Sequence, residues 1–494
     1  MSSNTIDPMT YIATAADLEI RCAKIADPGI DLKTKNAVAC EIREMLDTIR
    51  DSETIRVLPY LIPTLLELLR TGEVTFRKDT LEYQFRRVLV EIMYRLPTSD
   101  AARPHLNSMF ECLFHLVRQD NEENAALACK TLIDHVRNYR CLTEENLSEC
   151  TTLFIEGLGH MSDLVTRLLS EDSAAMDSEV ALRGLHSFKV MAEMGLVMVM
   201  FSRAMRQMAP VVKATIDPTF EVIELESPAQ KKVRDDCEAM GNTWAGMAST
   251  IKNPGAYSDF VNAQIKLLSY LVYILRQVTD QTAVEYGERL TLIALRLLQD
   301  CPATSTPLRK ELMVVFRHLI GTPHRRVLVP QIDKLFDERI LLGTGIGNKE
   351  ILRTGVYTAV ADLFHHLKGE LSFPQLSRLV HMHLRIMHNP MVGNNVHILC
   401  AKILFGLPET IITKETPENA ARLLEVMFHS CLDRLTALTH IHDELVAAAE
   451  RRKNDDEKAE DAVFVERARP VGGASFALEK PEEIMQGKYD SYFA

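Results

Sequence analysis

The chain has 494 residues, of which 47% are hydrophobic and 25% are charged. This length is too great for one ordinary hydrophobic core, so we expect either several domains or an array of repeated units. The formal net charge of -12 disfavours direct binding of nucleic acid, which needs a positive surface to neutralise phosphates.

The first stretch of the chain, Met1 to Asp17, lacks the basic and apolar regions of a secretory signal. The longest apolar run, Gly195 to Phe201, is far shorter than the roughly 20 residues that span a membrane, so no membrane anchor is expected. The cysteines contain no C-x-x-C pair and are predicted to be reduced, mostly buried thiols in cytosol or nucleus. They are Cys22, Cys40, Cys112, Cys129, Cys141, Cys150, Cys237, Cys301, Cys400 and Cys431.

Apolar residues recur at the three- and four-residue spacing of an amphipathic helix. The stripes are Ile55, Leu58, Ile62, Leu65 and Leu69, then Leu81, Phe85, Val88, Leu89 and Ile92, then Leu308, Leu312, Val315 and Leu319, then Leu352, Val356, Val360 and Leu363. Short polar segments, such as 97–100, 321–323 and 369–372, separate them and are typical of tight turns between helices.

These stripes pair into helical hairpins, and the hairpin recurs about every 40–47 residues. The hairpins are predicted near 32–70, 80–118, 123–169, 257–300, 308–340, 349–388 and 393–450. The predicted fold is therefore all-α, a HEAT- or armadillo-type solenoid. We predict helical repeats over 1–216, an irregular connector over 217–256, further repeats over 257–450 and a flexible charged tail over 451–494.

The segment from Gly343 to Lys349 is the part of the sequence most similar to a phosphate-binding loop. Its spacing does not fit, because Asn348 precedes the lysine and Glu350 follows it, whereas a Walker loop needs glycine before Lys-Ser or Lys-Thr. The preceding residues, 333–342, read as a helix instead of the required strand. We interpret the segment as a turn between two helices.

Six histidines lie close together in sequence: His365, His366, His381, His383, His388 and His397. His381 and His383 would point to opposite sides of a helix, and no H-E-x-x-H motif is present, so solvated or core roles are favoured over metal binding. Asp333 and Asp337 are expected to be solvated. The basic pairs Arg86-Arg87 and Arg325-Arg326 are isolated and lack interleaved aromatic residues.

The methionine-rich stretch that contains Met191, Met194, Met198 and Met200 is predicted mainly to fill gaps between helices, although such surfaces can also bind partners. No catalytic, cofactor-binding or metal-binding residue is identified. No cofactor is expected, and partner-binding residues cannot be named from the pattern alone. A catalytic function would need a constellation of residues that the sequence does not indicate.

Several strings occur in an order that resembles the N-terminal HEAT region of the TRRAP family, which are pseudokinase scaffolds of histone acetyltransferase complexes. They are TGEV at 71–74, RPH at 103–105, NEEN at 121–124, AQIK at 263–266, CPA at 301–303, LRKEL at 308–312, IDKLFDE at 332–338 and ADL at 361–363. Members of this family continue into more repeats, a FAT region and a kinase-like domain without catalytic residues. By this resemblance, we expect the chain to be part of a longer array.

The resemblance implies a non-catalytic nuclear scaffold, a subunit of SAGA-type and related acetyltransferase complexes that contacts transcription activators. Its implied partners are those activators and the other subunits, with no direct nucleic acid, membrane or small-molecule substrate. Periodicity alone leaves open an importin-like HEAT carrier, which is also acidic and built from paired helices. Binding to a nuclear transport GTPase would distinguish that alternative.

Overall fold

The computed structural model describes residues 14–459, apart from 141, 169–182, 205–208, 227–230, 232–234, 236–253, 276–281, 303–304, 344–345 and 391. Within these residues the secondary structure is helical, and the β-type pairing is one isolated bridge between Asn121 and Arg183. The predicted all-α solenoid is confirmed. The described residues divide into two compact units, one up to Pro302 and the other after it.

The first unit contains eleven α-helices in its described part. They are α1 (Ala15–Ala26), α2 (Leu32–Leu46), α3 (Asp51–Thr71), α4 (Leu81–Tyr94), α5 (Leu106–Gln119), α6 (Glu122–Tyr139), α7 (Glu144–Leu168), α8 (Phe188–Ala204), α9 (Ala209–Glu224), α10 (Pro254–Leu275) and α11 (Thr282–Asp300). Short 3₁₀ helices occupy Asp100–His105 and Gly184–His186.

These helices form two layers, as expected of stacked hairpins. In one layer α2, α4, α6, α8 and α10 each pack on the next, and in the other α3, α5, α7 and α9 do the same. Helix α11 is joined to the end of the second layer by an ion pair between Arg289 and Glu224. Most residues of the predicted apolar stripes in this unit are buried, although Ile55 at the start of α3 and Leu81 at the start of α4 are exposed.

Polar residues set where several of these helices begin. The side chain of Asp31 accepts a hydrogen bond from the backbone N–H of Thr34, and that of Thr80 accepts one from Tyr83. Such N-caps satisfy backbone donors that have no partner within the helix. Helices α8 and α10 pack closely at Gly195, where a Cβ would be in van der Waals contact with Lys266 at 3.4 Å.

A buried ion pair joins the two layers of the first unit. The Nε of Arg86 in α4 lies 2.6 Å from Oδ2 of Asp120, and both side chains are almost fully buried. Nη1 of Arg86 also donates to the carbonyl oxygens of Leu69 and Gly72 at the end of α3. One guanidinium group therefore ties the end of α3 to α4 and to the turn between α5 and α6.

Asp120 organises the turn on its own side of the ion pair. Its Oδ1 accepts hydrogen bonds from the backbone N–H of Asn121 and from the side-chain amide of Asn124. Its carbonyl oxygen accepts one from the N–H of Gly184, which has φ +40. A Cβ at Gly184 would lie 2.4 Å from the carbonyl oxygen of Val117, so only glycine fits this position.

The second unit contains seven α-helices in its described part. They are α12 (Thr306–Ile320), α13 (Glu338–Leu342), α14 (Ile346–Leu367), α15 (Phe373–Met387), α16 (Asn394–Phe405), α17 (Pro408–Lys414) and α18 (Pro417–Ala459), with a 3₁₀ helix over Pro323–Phe336. Helices α12, α14 and α16 form one layer, while the 3₁₀ helix, α15 and α18 form the other. The two-layer pattern of the first unit thus recurs here.

The prediction of one continuous helix over 333–342 is wrong, because the segment contains the end of one helix and the start of another. The 3₁₀ helix ends at Phe336, and α13 begins after Asp337, whose side chain caps it through the N–H of Arg339. Pro330 lies inside the 3₁₀ helix and has no N–H to donate, which works against an uninterrupted α-helix. The capping aspartate then starts a new helix.

Two of the predicted domain limits fall within helices. Residue 216 lies inside α9, because Phe220, Val222 and Ile223 continue its buried face. Residue 450 lies inside α18, which extends to Ala459. Lysine, arginine and glutamate are good helix formers, so a charged segment can continue a helix instead of forming a solvated tail. Most of the predicted connector, and the tail beyond 459, lie outside the described residues. The domain division stays a prediction.

One apolar stretch that the sequence analysis overlooked, Asn394–Lys414, is long and apolar enough to span a membrane by length and composition. It forms two helices, α16 and α17, which are interrupted at Gly406 and Leu407. Lys368 donates to the carbonyl oxygen of Gly406. Helix α16 packs against α14 and α15, so we interpret the stretch as a packed helical pair of the second unit.

We expect Asp120→Ala to destabilise the first unit by about 3–5 kcal/mol, because it leaves the charge of Arg86 buried without its counter-ion. Unfolding of the full chain in urea, followed by circular dichroism, measures this loss. Asp100→Ala is the matched control, since Asp100 pairs with Arg103 at an exposed site and such pairs contribute about 1 kcal/mol or less. Equal losses for the two variants would contradict the role assigned to the buried pair.

Candidate protein-interaction surfaces

The predicted turn at 343–349 follows a helix. Gly343 has φ 74, and its N–H donates to the carbonyl oxygen of Arg339, which ends α13. Residues 344 and 345 lie outside the described part of the chain, and α14 begins at Ile346. The glycine therefore serves as the C-terminal cap of a helix, and its positive φ is one that residues with a side chain rarely adopt.

The six clustered histidines do not come together in one site. Nδ1 of His383 lies 2.9 Å from the carbonyl oxygen of Leu379, and Nε2 of His397 lies 3.0 Å from that of Asn389. Burial lowers the pKa of His383 to about 4, so its ring is neutral at physiological pH. His381 contacts the carbonyl oxygen of Ser377, His388 contacts the hydroxyl of Ser430, and His365 and His366 contact each other. Within the described residues, no group of three or more potential metal ligands is found.

Asp333 and Asp337 are not merely solvated, as the sequence analysis expected. Asp333 pairs with Arg378 of α15 at 2.6 Å, and Asp337 pairs with Arg339 at 2.7 Å. The side chain of Asp337 is only 16% exposed because it also caps α13. Both carboxylates therefore have structural roles in the second unit.

The predicted core role of the methionines is confirmed for Met191, Met194 and Met198, which are fully buried in α8, whereas Met200 is partly exposed. Cysteines are mostly buried, as predicted, although Cys40 and Cys431 are half-buried, and Cys141 and Cys237 lie outside the described residues. Burial raises the pKa of Cys22 and Cys112 to about 11. Such thiols stay protonated at neutral pH and are poor nucleophiles.

The first candidate interaction surface lies on α18. One face of this helix is buried through Ala420, Leu423, Met427 and Leu438 and packs against α15 and α17. A second apolar face, which we call the α18 stripe, consists of Leu424, Phe428, Leu432 and Leu435.

The α18 stripe exposes large side chains to solvent. Phe428 is 65% exposed, Leu432 is 47% exposed and Leu435 is 54% exposed, and the four members are spaced as one helical face. Contiguous exposed apolar surface in a protein usually marks an interaction site. The spacing of these four residues is visible in the sequence, but spacing alone does not distinguish an exposed apolar face from a buried one.

The second candidate surface is a groove between α14 and α16. It encloses a cavity of about 210 Å³. The lining residues are Ala361, Asp362, Phe364, His365 and Lys368 of the α14 side and Leu399, Lys402, Ile403, Gly406 and Leu407 of the α16 side. We call it the α14–α16 groove. Its sequence positions are far apart, so only the packing of the two helices reveals it.

The floor and rim of the α14–α16 groove differ in character. Phe364 and Leu407 are buried at the floor, while Leu399 and Ile403 are partly exposed on one wall. The rim carries cationic Lys402, which is exposed. The groove is thus apolar inside and polar at its edge, the arrangement typical of sites that bind an apolar side chain.

Stacked antiparallel helix pairs in two layers define the chain as a HEAT-type helical-repeat protein. Residues 256–489 match the family model described as "Tra1 HEAT repeat central region". The predicted resemblance to the helical-repeat region of the TRRAP family is confirmed, and the chain is similar to the TRRAP/Tra1 proteins over most of its length. The comparisons do not support the importin-like alternative.

The similarity extends over most of the chain. It is 26% identical to "Transformation/transcription domain-associated protein" of Homo sapiens, over 83% of this chain and 11% of the relative. It is 25% identical to "SAGA complex/NuA4 acetyltransferase complex subunit Tra1" of Schizosaccharomyces pombe, over 84% of this chain and 12% of the relative. It is 24% identical to the TRA1 subunit of the same name in Saccharomyces cerevisiae, over 87% of this chain and 13% of the relative. The chain therefore spans only 11–13% of the length of these relatives.

We expect the stability of the second unit to fall as the pH is lowered from about 6.5 towards about 4, in part because of His383. The unfolded chain takes up a proton near the ordinary histidine pKa of 6.5, whereas the buried ring resists protonation until about pH 4. His383→Leu should flatten this dependence, as measured by unfolding midpoints between pH 7 and pH 4.5. His381→Leu, at an exposed site, is the control, and equal slopes in wild type and His383→Leu would refute the prediction.

Proposed function

We propose that the chain is a non-catalytic scaffold segment of a transcription coactivator subunit, acting in SAGA-type and related histone acetyltransferase complexes in the nucleus. The names of two fungal relatives describe them as subunits of such complexes, and the human relative is named for transcription. The proposal transfers that role to this chain. Its partners are other subunits of the complex and transcription activators, with no direct contact to nucleic acid, membrane or a small-molecule substrate.

The α18 stripe is the observation that carries the proposal. A helix in a solenoid buries one face against its own unit, and here a second apolar face is left exposed by the described residues. Transferring Phe428, Leu432 and Leu435 out of water would stabilise a complex by roughly 25 cal/mol for each Å² of apolar surface covered. A helix of a partner subunit can pack on such a stripe, because ridges of side chains on one helix fit into the grooves between side chains on another.

The absence of catalysis in this chain is part of the proposal. Cysteine and histidine often act as nucleophiles or bases in enzymes. In the described part of this chain, several of them are buried in the packing between helices. Cys129 and Cys150 are fully buried, and burial raises the pKa of both thiols. A ring nitrogen of His383 and one of His397 are each hydrogen-bonded to a backbone carbonyl group. These arrangements favour a packing role over an acid–base or nucleophilic one.

The test is reconstitution with purified acetyltransferase complexes that lack their Tra1 subunit. The full chain is expected to elute together with such a complex in size-exclusion chromatography. Phe428→Asp combined with Leu432→Asp should weaken the association by at least about tenfold, since a charge then replaces apolar contact at the centre of the interface.

Val314→Asp is the matched control, because Val314 is a similarly exposed apolar residue outside the α18 stripe. This variant should associate like the wild type. Circular dichroism of all variants establishes that the helices are retained. Separate elution of the wild-type chain and the complex, or equal losses for Val314→Asp and the stripe variant, would count against the proposal.

A further inference from the structure

We propose that a polar cavity between α5 and α7 binds an arginine side chain of a protein partner, together with the backbone next to that arginine. The cavity has a volume of about 360 Å³ and lies within the first unit. It is bounded by one face of α5, from Asn107 to Arg118, and by the start of α7, from Glu145 to Glu149. We call it the α5–α7 cavity. The inference rests on the proposed function only in that the partner is a protein.

Helical spacing gives the α5–α7 cavity a polar wall over an apolar floor. Three polar lining residues of α5 follow one another at intervals of four and therefore share a face. They are Asn107, Glu111 and His115. Phe114 also lines the cavity and is only 3% exposed. The stem of a long side chain can lie over this ring while its polar end reaches the walls.

The balance of charge around the cavity is negative. Arg118 is the cationic residue among those that line it, and its guanidinium group already pairs with Glu149 at 3.0 Å and with Glu156 at 3.2 Å. The carboxylate of Glu145 has no ion-pair partner among the residues that the structure describes. A cationic ligand can therefore pair with Glu145 without displacing an existing partner.

Other polar groups of the α5 wall are also available to a ligand. The side chains of Asn107 and His115 make no hydrogen bond within the described part of the chain. Burial lowers the pKa of His115, so its ring adds no positive charge at neutral pH. Glu111 differs, because it pairs with Arg70 of α3 at 3.1 Å. The wall thus offers uncharged acceptors next to the carboxylates.

The buried amide of Asn146 is an independent observation that points to a ligand. Asn146 lines the cavity and is only 8% exposed, and its side-chain nitrogen has no hydrogen-bond partner within the described residues. Leaving a buried donor without an acceptor is unfavourable. A backbone carbonyl oxygen of a bound peptide would supply the missing acceptor.

These features together select an arginine-containing peptide over other cations. Among the described residues, no group of three or more potential ligands is arranged to hold a metal ion. A polyamine has no acceptor for the amide nitrogen of Asn146. Arginine carries five donors in a planar fork, which can reach acceptors on both walls of the cavity. The net charge of -12 also attracts a basic partner to the chain.

The test is fluorescence polarisation with the full chain and a labelled peptide in which arginine alternates with glycine and serine. The wild-type chain is expected to bind it, and Glu145→Lys should weaken binding at least about tenfold, because the charge of the free carboxylate is reversed. Glu144→Lys is the matched control. It makes the same change at an exposed residue of the same helical turn that does not line the cavity, and should leave binding within about twofold.

Asn146→Leu separates binding from folding. It should weaken peptide binding by about threefold or more, because the ligand loses a donor, yet it should not lower the midpoint of urea unfolding. An apolar residue of similar size then replaces an amide nitrogen that has no partner in the free chain. Asn124→Leu is the contrasting variant and should lower the midpoint, since the amide of Asn124 donates to Asp120. A lowered midpoint or unchanged binding for Asn146→Leu would overturn the role given to this amide.

Two further peptides test the choice of arginine. Citrulline has nearly the shape of arginine without its charge, and a peptide with citrulline at each arginine should bind at least about tenfold more weakly. A lysine peptide should bind at least about threefold more weakly, because an ammonium group lacks the planar fork. Equal binding of the arginine and citrulline peptides would overturn the proposal, as would equal losses for Glu145→Lys and Glu144→Lys, or no binding by wild type. A lysine peptide that binds as tightly as the arginine peptide would refute the choice of arginine.

Failure of the α5–α7 cavity is distinguishable from failure of the proposed function. Association with acetyltransferase complexes is measured through the α18 stripe, and Glu145→Lys should not alter it. A chain that elutes with the complex but does not bind the arginine peptide would refute the cavity alone. A chain that binds the peptide but not the complex would refute the scaffold role alone.

Discussion

Helices in a stacked repeat have to bury apolar side chains on more than one face, and each unit of this protein depends on that constraint. Helix α10 illustrates it, since residues such as Tyr257, Phe260, Ile265 and Leu268 are buried around almost its whole circumference. Helix α18 satisfies the constraint on one face only. Like its neighbours, α18 carries apolar residues on two faces. Among the described residues, no helix covers the second face, so the α18 stripe is exposed.

Buried polar groups add specificity to this apolar packing. Arg86 and Asp120 come from different hairpins, and their pairing fixes how the end of α3, the helix α4 and the α5–α6 turn meet. Gln264 has a similar role in α10, because its side-chain amide donates to the carbonyl oxygens at the end of α9 and just beyond it. Such contacts align neighbouring helices, whereas apolar packing alone tolerates small shifts.

The sequence predicted the helices well where the signal was local. The stripes from Ile55 and Leu308 correspond to α3 and α12, because helical periodicity depends only on residues three and four apart. The partner of Arg86 could not be predicted, since Asp120 is far away in sequence and only folding brings it close. The same holds for the α14–α16 groove, whose walls come from separate helices. The 3₁₀ helix over Pro323–Phe336 was not predicted, because apolar spacing does not separate a 3₁₀ helix from an α-helix within the hairpin predicted near 308–340.

Backbone hydrogen exchange, measured with and without an acetyltransferase complex that lacks its Tra1 subunit, tests the scaffold account most directly. The account predicts slower exchange in α18 around Leu424 to Leu435 when the complex is present, and unchanged exchange in α4 around the buried Arg86. Unchanged exchange in α18, or protection centred on α4, would contradict it.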